Sequence, residues 1–102
     1  MTPENKAMFG EYYKLYSRFE ELPQEVFESE EHDTLYWRAL MEEVTEFSNR
    51  YPKSPTVTRL LLALIAARED DYKAMQSERA RGGKPKYDTE AEGNLLRYGE
   101  GA

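Results

Sequence analysis

Cysteine is absent and histidine occurs once, at His32. Disulfide staples, thiol catalysis and cysteine-ligated zinc are therefore excluded. Histidine-rich zinc sites and Cys–His catalysis go with them. A Ser-His-Asp triad would have to use His32, and no nucleophile elbow accompanies it. No stretch approaches the roughly 20 apolar residues of a membrane span. The opening Met1-Thr2-Pro3-Glu4-Asn5 lacks the basic-then-apolar layout of a secretion signal. A cytoplasmic location, with no membrane partner, is the expectation. Positive charge is also in short supply, at 14 Lys and Arg against 20 Asp and Glu, net −6. That balance disfavours nucleic acid, whose binding rests on cations neutralising phosphates.

Against those absences stand eight Tyr, four Phe and one Trp in 102 residues. Aromatic side chains bury large areas each, so a chain that is 33% charged can still close a core. A disordered acidic chain would be poor in them. The length supports one domain, residues 1–102.

The apolar spacing is helical throughout, with no strand alternation and no internal repeat. Met8, Tyr12, Leu15, Phe19 and Leu22 step by four and three, one stripe of a helix from Thr2 to Leu22. Thr2 is its expected N-cap and Pro3 its N1 residue, while Pro23 ends it. A second helix is expected from about Asp33 to Arg50, capped by Asp33 or one turn earlier by Ser29. Its inward stripe is Trp37, Leu40, Met41, Val44 and Phe47. Pro52 and Pro55 break it, and Ser54 caps a third helix from Pro55 to about Arg81. Leu60 to Ala67 is apolar nearly all round, so this helix is expected at the centre, with helices on every side. Gly82 is the expected C′ residue. Thr89-Glu90-Ala91-Glu92 has capping-box spacing and would open a short fourth helix with Leu95, Leu96 and Tyr98. The tail from Gly99 to Ala102 reads as mobile. The expected fold class is all-α, a small bundle of three main helices plus a short C-terminal fourth. Its core should hold Leu15, Phe19, Trp37, Leu40, Val44, Phe47, Leu60, Leu61, Leu64 and Ile65.

Charge is unevenly spread. Residues 1–32 hold eight acids (Glu4, Glu11, Glu20, Glu21, Glu25, Glu28, Glu30, Glu31) and three bases (Lys6, Lys14, Arg18). Residues 79–86 hold Arg79, Arg81, Lys84 and Lys86 and no acid. An acidic end and a small basic patch are expected. The acidic connector is expected to contain one helical turn near Gln24–Glu28, with Val26 and Phe27 pinning it to the core. The same acidic stretch could imitate a phosphate track, as small acidic inhibitors of DNA-binding proteins do.

Glu43-Val44-Thr45-Glu46 places two carboxylates on one helix face, and Glu69-Asp70-Asp71 lies on the next helix. Facing carboxylates are a standard means of holding Mg²⁺. Met41-Glu42-Glu43-Val44-Thr45-Glu46-Phe47 resembles the first half of the all-α nucleotide pyrophosphohydrolases of the MazG type, which carry Glu-x-x-Glu on one helix and Glu-x-x-Asp on the next. The second half departs from the pattern, because Tyr72 stands three residues after Glu69. The resemblance implies a Mg-dependent hydrolase with Glu43, Glu46, Glu69 and Asp70 as metal ligands. Leu35-Tyr36-Trp37, Glu43-Val44, Tyr51-Pro52 and the Leu60–Ala67 run are similar to short uncharacterised helical proteins of bacterial mobile elements and phages. That likeness implies an accessory or inhibitory role and transfers no site.

Other readings are weaker in their own chemistry. His32 could join the neighbouring carboxylates on a metal, but beside a helix start it reads as solvated. Gly82-Gly83-Lys84 lacks the spacing and the preceding strand of a phosphate loop. Arg79 to Tyr87 could follow a phosphate backbone with Tyr87 stacked on a base, but four cations are few. The favoured expectation is a non-enzymatic protein-interaction module that docks through its acidic end. Glu20, Glu21, Glu28, Glu30 and Glu31 would orient an unknown protein partner, and Tyr16 and Phe27 would supply buried area. No cofactor is expected on that reading, with Mg²⁺ belonging only to the hydrolase alternative. A homo-oligomer stays open.

Overall fold

The computed structural model describes residues 1–87. It is all-α: α1 (Pro3–Arg18), a 3₁₀ turn (Gln24–Phe27), α2 (Glu30–Arg50) and α3 (Pro55–Arg81). No strand occurs among the described residues. The expected fourth helix and the Gly99–Ala102 tail lie outside them.

Local chemistry sets the helix starts. Thr2 accepts a hydrogen bond from the Asn5 amide with Pro3 at N1, and Ser54 accepts from the Val57 amide with Pro55 at N1. α2 starts at Ser29, whose hydroxyl accepts from the His32 amide. Asp33 therefore does not cap α2; it sits at the end of the first turn and is buried. Glu30 and Glu31 occupy the positive end of the α2 dipole, a stabilising place for acids. α1 ends at Arg18, short of the expected Leu22. Tyr51–Ser54 turns the chain between α2 and α3 with Lys53 in the left-handed region at φ 65°. At the end of α3, Gly82 keeps a right-handed φ, and Gly83 takes the left-handed one at 76°. The glycine freedom is thus used one residue later than expected.

Side-chain links give the topology. Glu11 of α1 accepts from Arg50 and Tyr51 at the end of α2, while Arg18 meets Glu43 about two α1 turns along. α1 and α2 are antiparallel. Tyr12 donates to the Leu60 carbonyl, and Arg68 reaches the Phe19 carbonyl, so α1 and α3 run parallel. The result is an up-down-up bundle.

Its core has two parts. Met8, Leu15, Phe19, Leu40, Val44, Phe47, Val57, Leu61 and Leu64 pack where the three helices meet, with Trp37, Leu60 and Ile65 half-buried at the edge. Past the end of α1, the 3₁₀ turn takes over as the third wall. Leu22, Val26 and Phe27 pack there against Tyr36, Trp37, Tyr72 and Met75. Fully burying one such side chain contributes about 1.5–3 kcal/mol.

Two expectations about burial change. Met41 is 45% exposed and Leu62 is 60% exposed. Among the described residues, two helices and a short turn cover only one flank of α3. The alanines of the Leu60–Ala67 run, rather than neighbouring helices, make its outer face tolerable in water.

Candidate functional site

The carboxylates of the hydrolase alternative do not share a focus. Glu43 is held by Arg18 in a two-pronged contact of 3.0 and 3.4 Å. Glu46 lies on the outer face of α2 with Arg38, Met41, Glu42, Thr45 and Asn49. Glu69 lines a cleft of about 340 Å³ between α2 and α3, with Trp37, Met41, Ile65, Tyr72 and Lys73. Asp70 is exposed on α3. Among the described residues, no group of three or more acids and histidines is arranged to hold a metal ion.

The acidic residues of the favoured reading do gather. α1 ends, the 3₁₀ turn lies across, and α2 begins at one corner of the bundle. Glu20 and Glu21 line a hollow of about 430 Å³ with Arg18, Phe19, Pro23 and Tyr36. Glu30 and Glu31 line another with Thr34, Leu35 and Arg38. Glu25 and Glu28 project from the turn between them and are exposed. Of these six, Glu28 has an ion-pair partner among the described residues, His32 at 3.8 Å on the next turn. The ring of His32 also contacts the Ser29 hydroxyl at 2.6 Å, so the histidine belongs to the start of α2. Tyr16 stands at the edge of the corner, tilted on Tyr12 at 6.2 Å and open to solvent on its outer side.

Phe27 does not fit the role of partner contact. It is 1% exposed, stacked on Tyr72 at 5.0 Å, with the Arg79 guanidinium 5.1 Å from its ring centre. Its other expected role, pinning the connector, is the one the packing shows. The reason is length: the 3₁₀ turn must close a core that α1 no longer reaches, and Val26 and Phe27 are its only large apolar residues.

Asp33 is the residue that sequence reasoning missed. Its Oδ2 accepts hydrogen bonds from the hydroxyls of Tyr72, at 2.8 Å, and Tyr87, at 2.9 Å. The carboxyl is buried between three separate segments. Burial first, then the Asp33 hydrogen bond and charge, push the Tyr87 phenol up to about 12. The same causes raise Tyr72. No local signal marks Asp33, since its partners lie 39 and 54 residues away. Position four of an acidic helix start reads as solvated until the tyrosines are placed.

Tyr87 belongs to a strap, residues Gly82–Tyr87, that folds back from the end of α3. The Pro85 carbonyl accepts from Arg79, and Lys86 lies 5.6 Å from the Tyr72 ring centre and 5.4 Å from that of Tyr87. The expected basic patch is therefore laid beside the start of α2, next to the acidic corner. Tyr87, the stacking residue of the nucleic-acid reading, is engaged with Asp33. Beneath the root of the strap, a hollow of about 330 Å³ remains between Gln24 and Met75, Arg79 and Lys84.

Over the described residues the chain is a small all-α bundle of three helices. Compared with models of protein families, with curated proteins and with solved structures, it matches none.

Proposed function

We propose that this chain is a non-enzymatic protein-interaction module, accessory or inhibitory, that works in the cytoplasm and docks a protein partner through its acidic corner. The observation that carries this reading is the grouping of Glu20, Glu21, Glu25, Glu28, Glu30 and Glu31. All six are exposed around the end of α1, the 3₁₀ turn and the start of α2. Two of the nearby cations are engaged elsewhere, Arg18 with Glu43 and Arg79 with Phe27 and Pro85, which leaves the six acids in excess over the bases around them. Electrostatics of this kind govern encounter rate and choice of partner more than final affinity. Tyr16 and Leu35 lie beside the acids as apolar contact area, 36% and 50% exposed.

The test is capture of a partner by wild type and by a chain with Glu20, Glu21, Glu30 and Glu31 changed to Gln. These positions are exposed, so the fold should persist. Recovery is expected to fall at least about tenfold in the variant, and likewise for wild type on raising the salt from 0.05 to about 0.5 M. A partner that the variant retains, or that wild type retains unchanged in molar salt, defeats the acidic corner as the docking surface.

A further inference from the structure

We infer that the strap Gly82–Tyr87 is a built-in competitor, and that the partner docks with a segment of the same chemistry: lysines just ahead of a tyrosine. This rests on the acidic-corner reading and names the regulation of that surface. The strap covers a receptive surface made of Asp33, Tyr72 and Arg79, and every contact it makes is of a kind a foreign segment can reproduce. Its phenol donates to the Asp33 carboxylate. Its Lys86 lies over the Tyr72 ring. Its Pro85 carbonyl accepts from Arg79. No apolar side chain of the strap is driven into the core, so its hold is polar and aromatic and can be exchanged. Gly83 supplies the reversal, at φ 76°, that brings the strap back from α3.

Charge favours the exchange. The strap is the basic segment of the molecule and lies against its acidic corner, where Glu30 is among the charges felt by Tyr87. An incoming basic segment meets Glu25, Glu28, Glu30 and Glu31 in addition to the surface the strap vacates. The strap itself lies too close to the end of α3 to lie across them all. The hollow under its root, between Gln24 and Met75, offers the newcomer space that the strap leaves unfilled.

The arithmetic of an internal competitor is simple. A short tether presents the strap at an effective concentration of the order of mM. A strap closed about 90–99% of the time weakens any competitor by about 10- to 100-fold. The same free peptide would then bind an open chain with a Kd of the order of 10–100 μM.

The probe is the capped peptide Gly-Gly-Lys-Pro-Lys-Tyr, titrated by amide NMR into wild type and into a Lys86→Ala, Tyr87→Ala double variant. Both substitutions lie outside the helices, so the bundle should persist. Saturable shifts at Asp33, Phe27 and Tyr72 are expected in the double variant. Binding to wild type should be about 10- to 100-fold weaker, and a peptide ending in Phe should lose most of the affinity. The Phe peptide tests the phenol–carboxylate contact without altering the protein. Equal binding to both chains, or no shifts in the double variant, overturns the inference. So does a wild-type dimer that vanishes in the double variant, which would assign the surface to the strap of a second copy. If the peptide behaves as expected while the four-glutamine chain keeps its partner, the acidic corner falls and the strap exchange stands. If the peptide fails while the salt and glutamine effects hold, the exchange falls alone.

Discussion

Arg68 should be the most costly single residue to remove from this fold outside its apolar core. It is 6% exposed, and one guanidinium nitrogen donates to the carbonyls of Phe19 and Glu20. These carbonyls follow the end of α1, where no further helical amides are available to them. A second nitrogen meets Asp71 at 3.0 Å, and the third, Nε, is buried with no partner among the described residues. Changing Arg68 to Met keeps the length and apolar volume of the stem and removes only the fork. Two charge-assisted hydrogen bonds contribute about 1.5–3 kcal/mol each, and relief of the unpaired Nε offsets about 1–3 kcal/mol. The expected loss is about 2–4 kcal/mol, against a total stability of about 5–15 kcal/mol for a domain this size. At about 4–8 °C per kcal/mol for small domains, the melting temperature should fall by about 8–32 °C.

The assay is urea unfolding followed by circular dichroism, with Asp71→Asn as the control. Asp71 is 46% exposed, so its pair with Arg68 is screened and should contribute less than about 1 kcal/mol. Arg68→Lys should fall between the two, because an ammonium cannot span both carbonyls and the carboxylate. Equal losses for Arg68→Met and Asp71→Asn would refute the reasoning, since the ion pair rather than the carbonyl cap would then carry the effect. A loss below about 1 kcal/mol for Arg68→Met would refute it equally, by showing that water replaces the fork at no cost.

Two further outcomes follow from single contacts. Ser29→Ala removes the acceptor for the His32 amide at 3.1 Å and should cost about 1 kcal/mol in the same assay; no loss would mean that α2 is not started by Ser29. The folded chain holds the Tyr87 proton to about pH 12, while an unfolded tyrosine releases its proton near 10, so the folded state binds more protons between those values. The stability that this contact provides is complete below about pH 10 and is lost as pH rises through 12. Urea midpoints measured from pH 8 upward should fall less steeply in Tyr87→Phe than in wild type, and identical slopes would separate Tyr87 from Asp33.

What the sequence could reveal about this fold divides along the reach of its signals. Thr2-Pro3 and Ser54-Pro55 announce helix starts because a cap and an N1 proline act within one turn. α3 accordingly begins and ends where the spacing places it. The end of α1 was not legible, because Arg68, nearly fifty residues away, takes the carbonyls that a continuing helix would use. Pro23 is a stop signal that α1 never reaches. Met41 and Leu62 show the same limit for burial: periodicity marks a wide apolar face but not how many neighbours exist to cover it. Asp33 is the extreme case, a buried acid inside an acidic run whose burial is decided by two distant tyrosines. The acidic corner itself was legible as composition. That Phe27 faces the core beneath it, rather than a partner, depends on α1 stopping early.

The placement of the cations ties the architecture to the proposed role. Arg18 and Arg50 bridge α2 to α1, Arg68 closes the end of α1, and Arg79 and Lys86 lie on aromatic rings at the far end of α3. Each holds helices or the strap together, and none of them pairs with the acids of the corner. A chain with fewer bases than acids has to concentrate its uncompensated charge somewhere, and these links decide where. The early end of α1 and the Ser29 start of α2 then put Glu20, Glu21, Glu30 and Glu31 on the same corner, while the strap brings Lys86 alongside. The electrostatic character of the corner is thus a consequence of how the bundle is joined. It predicts a coupling that an isolated surface patch would lack: Arg68→Met, by loosening the end of α1, should weaken salt-sensitive partner capture in proportion to the lost order at Glu20 and Glu21. Amide exchange at those two residues measures that order, and capture that stays at the wild-type level while their exchange accelerates would separate the corner from the joint.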